Sequence, residues 1–194
     1  MADTRGVFGL RQVLLFKNKN EWVPLEDVWL EPPFPGTGYF GGGSPGPLAT
    51  MDKVTYASDT TAAVPGANLT VARFNPAATG NSTAGYFGGG YSGSFNSTMD
   101  KVTYSSDTTA AVPGASLSQP RQILAATGNS THGYFGGGWL PGVTSTTDKV
   151  TYSTDTTAVV PGAALSAARR DLAASSARAN GLPTTASSPA PVIV

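Results

Sequence analysis

The apolar residues of this chain fall in short alternating segments that glycine and proline interrupt at close intervals. Residues 149–152 read Lys-Val-Thr-Tyr, and residues 157–160 read Thr-Ala-Val-Val with a Pro-Gly step directly after them. Alternation with β-branched residues predicts strands, and the Pro-Gly step predicts a chain reversal. Two further strands are predicted at 124–127 and 133–137, separated by the turn signal Gly-Asn-Ser. No long helix fits between these breakers, so the pattern predicts an all-β protein.

The same four-strand pattern occurs three times in the chain. The motif Gly-Tyr-Phe-Gly-Gly-Gly begins at residues 38, 85 and 133, and Asp-Lys-Val-Thr-Tyr begins at residues 52, 100 and 148. Four short strands in each of three units of about 48 residues are typical of propeller blades. Three units are fewer than the usual four to eight blades. The alternatives are an oligomer that pools its units, a small threefold β-prism, or a truncated array.

The recurring glycines and tyrosines are the predicted structural residues of the array. Glycine is required where two backbones approach closely, and tyrosine supplies packing area between neighbouring units. The expected set is Gly41, Gly42, Gly88, Gly89, Gly136, Gly137, Tyr56, Tyr104 and Tyr152. Charge follows the same period, which indicates a structural role in each unit. In particular, we expect Asp59, Asp107 and Asp155 to bond their own backbone in Ser/Thr-Asp-Thr turns.

Residues 1–31 differ from the rest of the chain and predict a docking module. They carry large apolar side chains, partly in strict alternation: Phe8, Leu10, Leu14, Phe16, Trp22 and Trp29. Such a surface needs a partner, which is either another protein or the chain's own repeats. The predicted organisation is this module at 1–31, a Pro/Gly linker at 32–37, the array at 38–174, and an irregular tail at 175–194.

Composition and charge exclude several classes of site. The formal net charge is zero, which argues against nucleic-acid binding, and there is no Cys for thiolate metal sites or disulfides. No apolar run reaches the length of a membrane helix, and the N-terminus lacks a signal-peptide core. The glycines at 36, 38 and 41 match a dinucleotide fingerprint only by letters, without its flanking strand and helix. The sequence therefore predicts no catalytic residue, cofactor or metal.

Three aromatic residues differ between units, in the loop that follows the glycines. They are Tyr91, Phe95 and Trp139. Variation within a constant scaffold is typical of recognition loops, and aromatic rings can stack on the sugars of a cell-surface glycan. Packing between subunits is the equally weighted alternative.

Two resemblances follow from these motifs. An apolar strand leading to Gly-Gly, a variable loop, an alternating strand ending in Tyr and an Asp-Thr turn resemble a kelch repeat, although its usual Trp is missing. Over residues 36–175, the repeats with their Ala-Ala-Thr-Gly-Asn-Ser-Thr linkers also resemble virion structural proteins of marine tailed phages, especially cyanophages. This second resemblance implies a bacteriophage fibre or appendage protein located in the virion and made in the host cytoplasm.

The resulting hypothesis is a non-enzymatic virion protein, a short tail fibre or similar appendage that functions in host attachment. Its residues 1–31 would bind other virion proteins of the tail, baseplate or capsid. A capsid decoration protein is the alternative, and a glycan-active enzyme is disfavoured because every acidic pair follows the repeat. The first unit lacks a strand that an orphan segment around 169–174 could supply in the same or the next chain. This predicts a homo-oligomer, and the resemblance to phage fibre proteins implies that it is a trimer.

Overall fold

The computed structural model describes residues 36–176, which form three antiparallel β-sheets and contain no α-helix. The all-β prediction is therefore confirmed. The predicted docking module and its six apolar residues, Phe8 to Trp29, lie outside the described residues, as do most of the linker and the tail from residue 177 onward.

The first sheet has three strands and the other two have four strands each. In chain order the first sheet contains β1 (Thr37–Gly41), β2 (Met51–Thr55) and β3 (Thr60–Ala63). The second contains β4 (Ala77–Gly80), β5 (Ala84–Gly88), β6 (Met99–Thr103) and β7 (Thr108–Ala111). The third contains β8 (Ala125–Gly128) and β9 (His132–Gly136), then, after a small hairpin of β10 (Trp139–Leu140) and β11 (Gly142–Val143), β12 (Thr147–Thr151) and β13 (Thr156–Val159).

Within each sheet the strands lie in sequence order and keep one register. Gly88 of β5 is opposite Met99 of β6, and Gly136 of β9 is opposite Thr147 of β12. A short 3-10 turn follows the last strand of each sheet, at Pro65–Ala67, Pro113–Ala115 and Pro161–Ala163. Proline suits these positions because its fixed φ matches the first residue of a helical turn.

The hairpin turns before each last strand depend on an aspartate in the left-handed backbone region. Asp59, Asp107 and Asp155 each have φ of 51°. Aspartate is one of the few non-glycine residues that adopt this conformation at low cost. At Asp107 and Asp155 the side chain of this turn contacts a lysine of the preceding sheet.

The hydrophobic core lies between consecutive sheets. One cluster joins the first and second sheets and includes Met51, Leu69 and Phe87. The other joins the second and third sheets and includes Met99 and Phe135, both fully buried. Each sheet has apolar side chains on both faces, so each inner face requires a neighbouring sheet to exclude water.

β1 is an edge strand within the described residues, because only β2 pairs with it. The segment 172–176 has no regular structure, and its one hydrogen bond to a strand side chain runs from Thr127 Oγ1 to the Ser175 carbonyl. The expected pairing of the orphan segment with the first unit is thus not formed inside residues 36–176.

Candidate functional site: the junctions between sheets

Each junction between sheets contains a fully buried arginine–aspartate pair. Arg73 precedes β4, and its Nη2 lies 2.9 Å from Oδ2 of Asp100 on β6, with both side chains wholly inaccessible to solvent. The same Nη2 donates to the carbonyl of Phe87 at 3.0 Å. Burial lowers the pKa of Arg73, and the Asp100 carboxylate opposes that effect. Arg121 and Asp148 repeat the pair at 2.9 Å in the next junction.

The arginine backbone hydrogen-bonds to the preceding sheet, whereas its side chain binds the sheet that follows it in the chain. The Arg73 amide donates to the Leu48 carbonyl, and its own carbonyl accepts from Gly43. Both partners belong to the loop between β1 and β2. Arg121 repeats this arrangement, donating to Asn96 and accepting from Gly90. One residue therefore holds two consecutive sheets in a fixed relation.

A second polar contact crosses each junction nearer to solvent. Lys53 Nζ on β2 lies 2.9 Å from Oδ2 of Asp107, in the turn of the second sheet, and the Tyr39 hydroxyl donates to the same carboxylate. These hydrogen bonds from Tyr39 and Lys53 lower the pKa of Asp107. Burial, helped by the carboxylate, raises the pKa of Tyr39, and the bond to Asp107 raises the pKa of Lys53.

The second junction repeats this cluster with equivalent residues. Lys101 Nζ lies 2.8 Å from Oδ2 of Asp155, and the Tyr86 hydroxyl donates to its Oδ1 at 2.5 Å. Burial raises the pKa of Tyr86 far above its usual value. The prediction that these aspartates bond their own backbone is wrong for Asp107 and Asp155. Their left-handed turns direct the carboxylates across the junction, where lysine and tyrosine donors bind them.

Aromatic rings stack across both junctions. Tyr39 stacks on Tyr104 with centroids 5.1 Å apart, and Tyr86 stacks on Tyr152 at 4.8 Å. The tyrosines predicted to be structural, Tyr104 and Tyr152, thus lie in junctions between sheets. Tyr56, the third of that set, is 59% exposed.

The recurring glycines lie where their own sheet and the next one leave little room for a side chain. A Cβ on Gly88 would stand 2.7 Å from the Met99 methyl and 3.0 Å from the Phe135 ring. Gly41 has equivalent neighbours in Met51 and Phe87.

The second glycine of each triplet has a positive φ and faces an arginine carbonyl. A Cβ would lie 2.6 Å from that oxygen at Gly42 and at Gly89, and 2.7 Å from it at Gly137. Gly136 is less crowded, because its nearest neighbour would be Thr147 Oγ1 at 3.3 Å.

The variable loop aromatics pack against their own chain. Tyr91 contacts Phe74 at 5.4 Å and Phe95 edge-on at 5.5 Å between ring centroids. The Arg170 guanidinium lies over the Trp139 ring, 4.5 Å from its centroid. All three variable residues, Tyr91, Phe95 and Trp139, are half-buried, so each ring presents only part of its surface to a ligand.

The described residues offer little for catalysis or metal binding. Residues 36–176 contain no group of three His, Asp or Glu side chains that could hold a metal ion. The imidazole Nδ1 of His132 is within 2.9 Å of the neighbouring Thr131 hydroxyl. An open cavity is lined by small residues of β4, β8 and the segment 174–176. This part of the chain also lacks any helix long and apolar enough to cross a membrane.

The functional residues that the sequence predicts least well are the buried arginines of the junctions. Arg73 and Arg121 follow the repeat period, which indicated a structural role without identifying their partners. Their aspartate partners lie 27 residues further along the chain, beyond the reach of local turn or strand patterns. Neither a family model nor a curated protein matches this chain.

Proposed function

We propose that this chain is a non-enzymatic structural protein in which consecutive β-sheets form a propeller-like array of kelch type. The observation that carries the proposal is the use of the recurring charges. In both junctions the recurring lysine binds an aspartate of the next sheet, and the recurring arginine, whose backbone binds one sheet, pairs with an aspartate of the next. Charged side chains that bind one another in a junction are unavailable for acid–base chemistry.

The arrangement around the open cavity supports a propeller-like array. Three successive segments contribute small residues to its wall: Ala78 and Thr79 of β4, Ala126 to Gly128 of β8, and 174–176. The first strands of the second and third units and the segment 174–176 therefore face a common space. Small side chains suit this position, since strands crowd together around a propeller axis.

The resemblance of the repeats to virion proteins of marine tailed phages supports a role for this scaffold in a virion. We infer a short tail fibre or similar appendage, docked through residues 1–31, with the loops after the glycine triplets facing the host surface. A rigid scaffold with one variable loop per unit is the arrangement expected of a host-recognition protein.

Quantitative mass spectrometry of purified particles from a phage that encodes the chain tests this role. A fibre is expected at a few dozen copies or fewer per particle. Hundreds of copies would instead indicate a capsid decoration protein, and absence from particles would overturn the virion role altogether.

A deletion variant tests the docking module in the same particles. Removing residues 1–31 is expected to leave a folded array, seen as an unchanged β-type circular dichroism spectrum, that no longer enters particles. The matched control removes residues 183–194 of the tail. Normal incorporation of the chain lacking 1–31 would contradict docking through that segment.

A further inference from the structure

The two ends of the described array each carry one half of the contacts that form a junction. The first end is the face of the first sheet that has no preceding sheet within residues 36–176. The last end is the face of the third sheet that has no following sheet there. We call these two surfaces the first end and the last end.

At the first end, several side chains are exposed although their equivalents in the other units are buried in junctions. Phe40 is 66% exposed, whereas its equivalents Phe87 and Phe135 are 5% and 0% exposed. Asp52 is exposed, whereas its equivalent Asp100 is completely buried against Arg73. Asp59 is also exposed and, within the described residues, has no lysine or tyrosine donor of the kind that Asp107 binds.

At the last end, the opposite halves of the same contacts are present. Arg169 is exposed, although its equivalents Arg73 and Arg121 are fully buried in ion pairs. Tyr134 and Lys149 are the equivalents of Tyr86 and Lys101, but no carboxylate meets them inside the range 36–176. The backbone of Arg169 is already held as in the junctions, because its carbonyl accepts a hydrogen bond from the Gly138 amide and its amide donates to the Thr144 carbonyl.

We propose that the last end of one copy binds the first end of a second copy and forms one more junction of the same kind. Arg169 would pair with Asp52, as Arg73 pairs with Asp100. Lys149 and Tyr134 would bind Asp59. The last end then contributes two positive charges and the first end two negative charges, so the ends attract each other while like ends repel.

Apolar and backbone groups match in the same way. Phe135 packs against Gly88 in the second junction, so Phe40 of one copy would pack against Gly136 of the other. Gly136 has no aromatic ring among its described neighbours, which leaves that place open for Phe40. The segment 173–176 aligns with β4 and β8, and the open edge of β1 provides the strand with which it would pair.

The number of sheets per chain favours two copies in a closed ring. Two chains supply six sheets, which lies within the usual range of four to eight for a propeller, whereas the trimer expected from the sequence supplies nine. Two head-to-tail contacts in a two-chain ring satisfy all ends and leave no edge for further growth. The end-to-end contact rests on the observed junctions and not on a role in a virion, whereas the closure into a two-chain ring rests on the propeller-like array proposed above.

Charge reversal of single residues tests the contact in the full 194-residue chain. Lys149→Glu places a negative charge opposite Asp59, and Asp59→Lys places a positive charge opposite Lys149. Each variant alone then opposes like charges at both contacts, and its dimer dissociation constant is expected to rise at least about tenfold. Analytical ultracentrifugation measures this directly. Ser105→Glu, an exposed change in the middle unit, is the matched control and should leave the dimer unchanged.

Mixing the two variants separates this contact from any other mode of association. The new glutamate of Lys149→Glu, at the last end of one variant, faces the new lysine of Asp59→Lys, at the first end of the other, and the remaining two ends are unchanged and still fit. An equimolar mixture should therefore recover dimers close to wild-type affinity. The double variant Lys149→Glu/Asp59→Lys should also recover them within one sequence.

Each sedimentation result either supports or overturns the end-to-end contact. A wild-type chain that sediments as a monomer at all accessible concentrations would overturn the proposal, as would a dimer that ignores both charge reversals. Filaments that recover on mixing, or trimers that recover in the double variant, would support the end-to-end contact and overturn the two-chain ring. Circular dichroism of each variant identifies loss of folding, and a folded mixture that fails to associate counts against the proposal.

Discussion

The second sheet and the first sheet contain the same motifs but bury them very differently. The second sheet has neighbours on both sides, and its Tyr86 and Phe87 are almost completely buried. In the first sheet Tyr39 packs on the second sheet, whereas Phe40, on the opposite face, is 66% exposed. The recurring residues therefore stabilise the junctions between sheets more than the individual sheets. A substitution should matter according to whether its position has a neighbouring sheet.

The largest contrast is expected at the buried ion pair. Asp100→Ala leaves the Arg73 guanidinium buried without its counter-charge, which costs about 3–5 kcal/mol of unfolding free energy. Asp52→Ala, the same change at the exposed end, should alter that free energy by less than about 0.5 kcal/mol when the chain is dilute and monomeric. Urea denaturation of both variants measures the difference. Equal costs would show that Asp100 does not act through its buried pair with Arg73.

Glycine substitutions give the next largest contrast. Gly88→Val places a branched side chain against Met99 and Phe135, and overpacking of this kind costs about 1–3 kcal/mol. Gly136→Val should cost less, since no aromatic ring of a following sheet is near it. Ser94→Val, in an exposed loop, is the control. Melting temperatures that do not distinguish Gly88→Val from Ser94→Val would argue against close approach of the sheets.

The loss of folding stability at acid pH should depend on Asp107. Its lowered pKa means that the carboxylate stabilises the fold above its unfolded pKa of about 3.9, and that this stabilisation is lost as the pH falls through the lower folded pKa. Asp107→Asn should therefore flatten the stability profile below about pH 4. Asp59→Asn, at the exposed equivalent, should leave the dilute chain's profile unchanged. Thermal melts from pH 2 to 6 test both, and identical profiles for wild type and Asp107→Asn would contradict the assignment.

The smallest effect concerns backbone strain in the linking segments. Asn75, Ile123 and Asp171 occupy equivalent positions with φ of 56° to 57°. A β-branched isoleucine is disfavoured in this region, whereas asparagine tolerates it. Ile123→Asn should raise the unfolding free energy by about 0.5 kcal/mol, as part of the strain of an unfavourable φ is relieved. A measured loss of stability would mean that Ile123 packing outweighs that strain.

The sequence predicts the sheets well and their junctions poorly. Alternation around Val150 and the Pro-Gly step after Val160 are local signals, and they placed the strands within a few residues of their observed bounds. The partner of Arg73 is a long-range contact that depends on how two sheets pack, and no local pattern encodes it. The direction of the Asp107 side chain likewise depends on the lysine and tyrosine of another sheet.

The most direct test of the end-to-end contact is a disulfide between copies. Thr109 Oγ1 donates to the Ala67 carbonyl across the first junction, so the equivalent pair between copies is Thr61 and Ala163. The chain contains no native Cys, and separate chains carrying Thr61→Cys and Ala163→Cys can be mixed under mild oxidation. The Ala67→Cys/Thr109→Cys chain serves as the control for geometry, and Thr61→Cys mixed with Ser105→Cys as the control for random collision. We predict a covalent species of twice the 19.7 kDa chain in the first mixture only. If the geometry control forms its disulfide and the mixture of Thr61→Cys with Ala163→Cys stays monomeric, the ends of this array do not join.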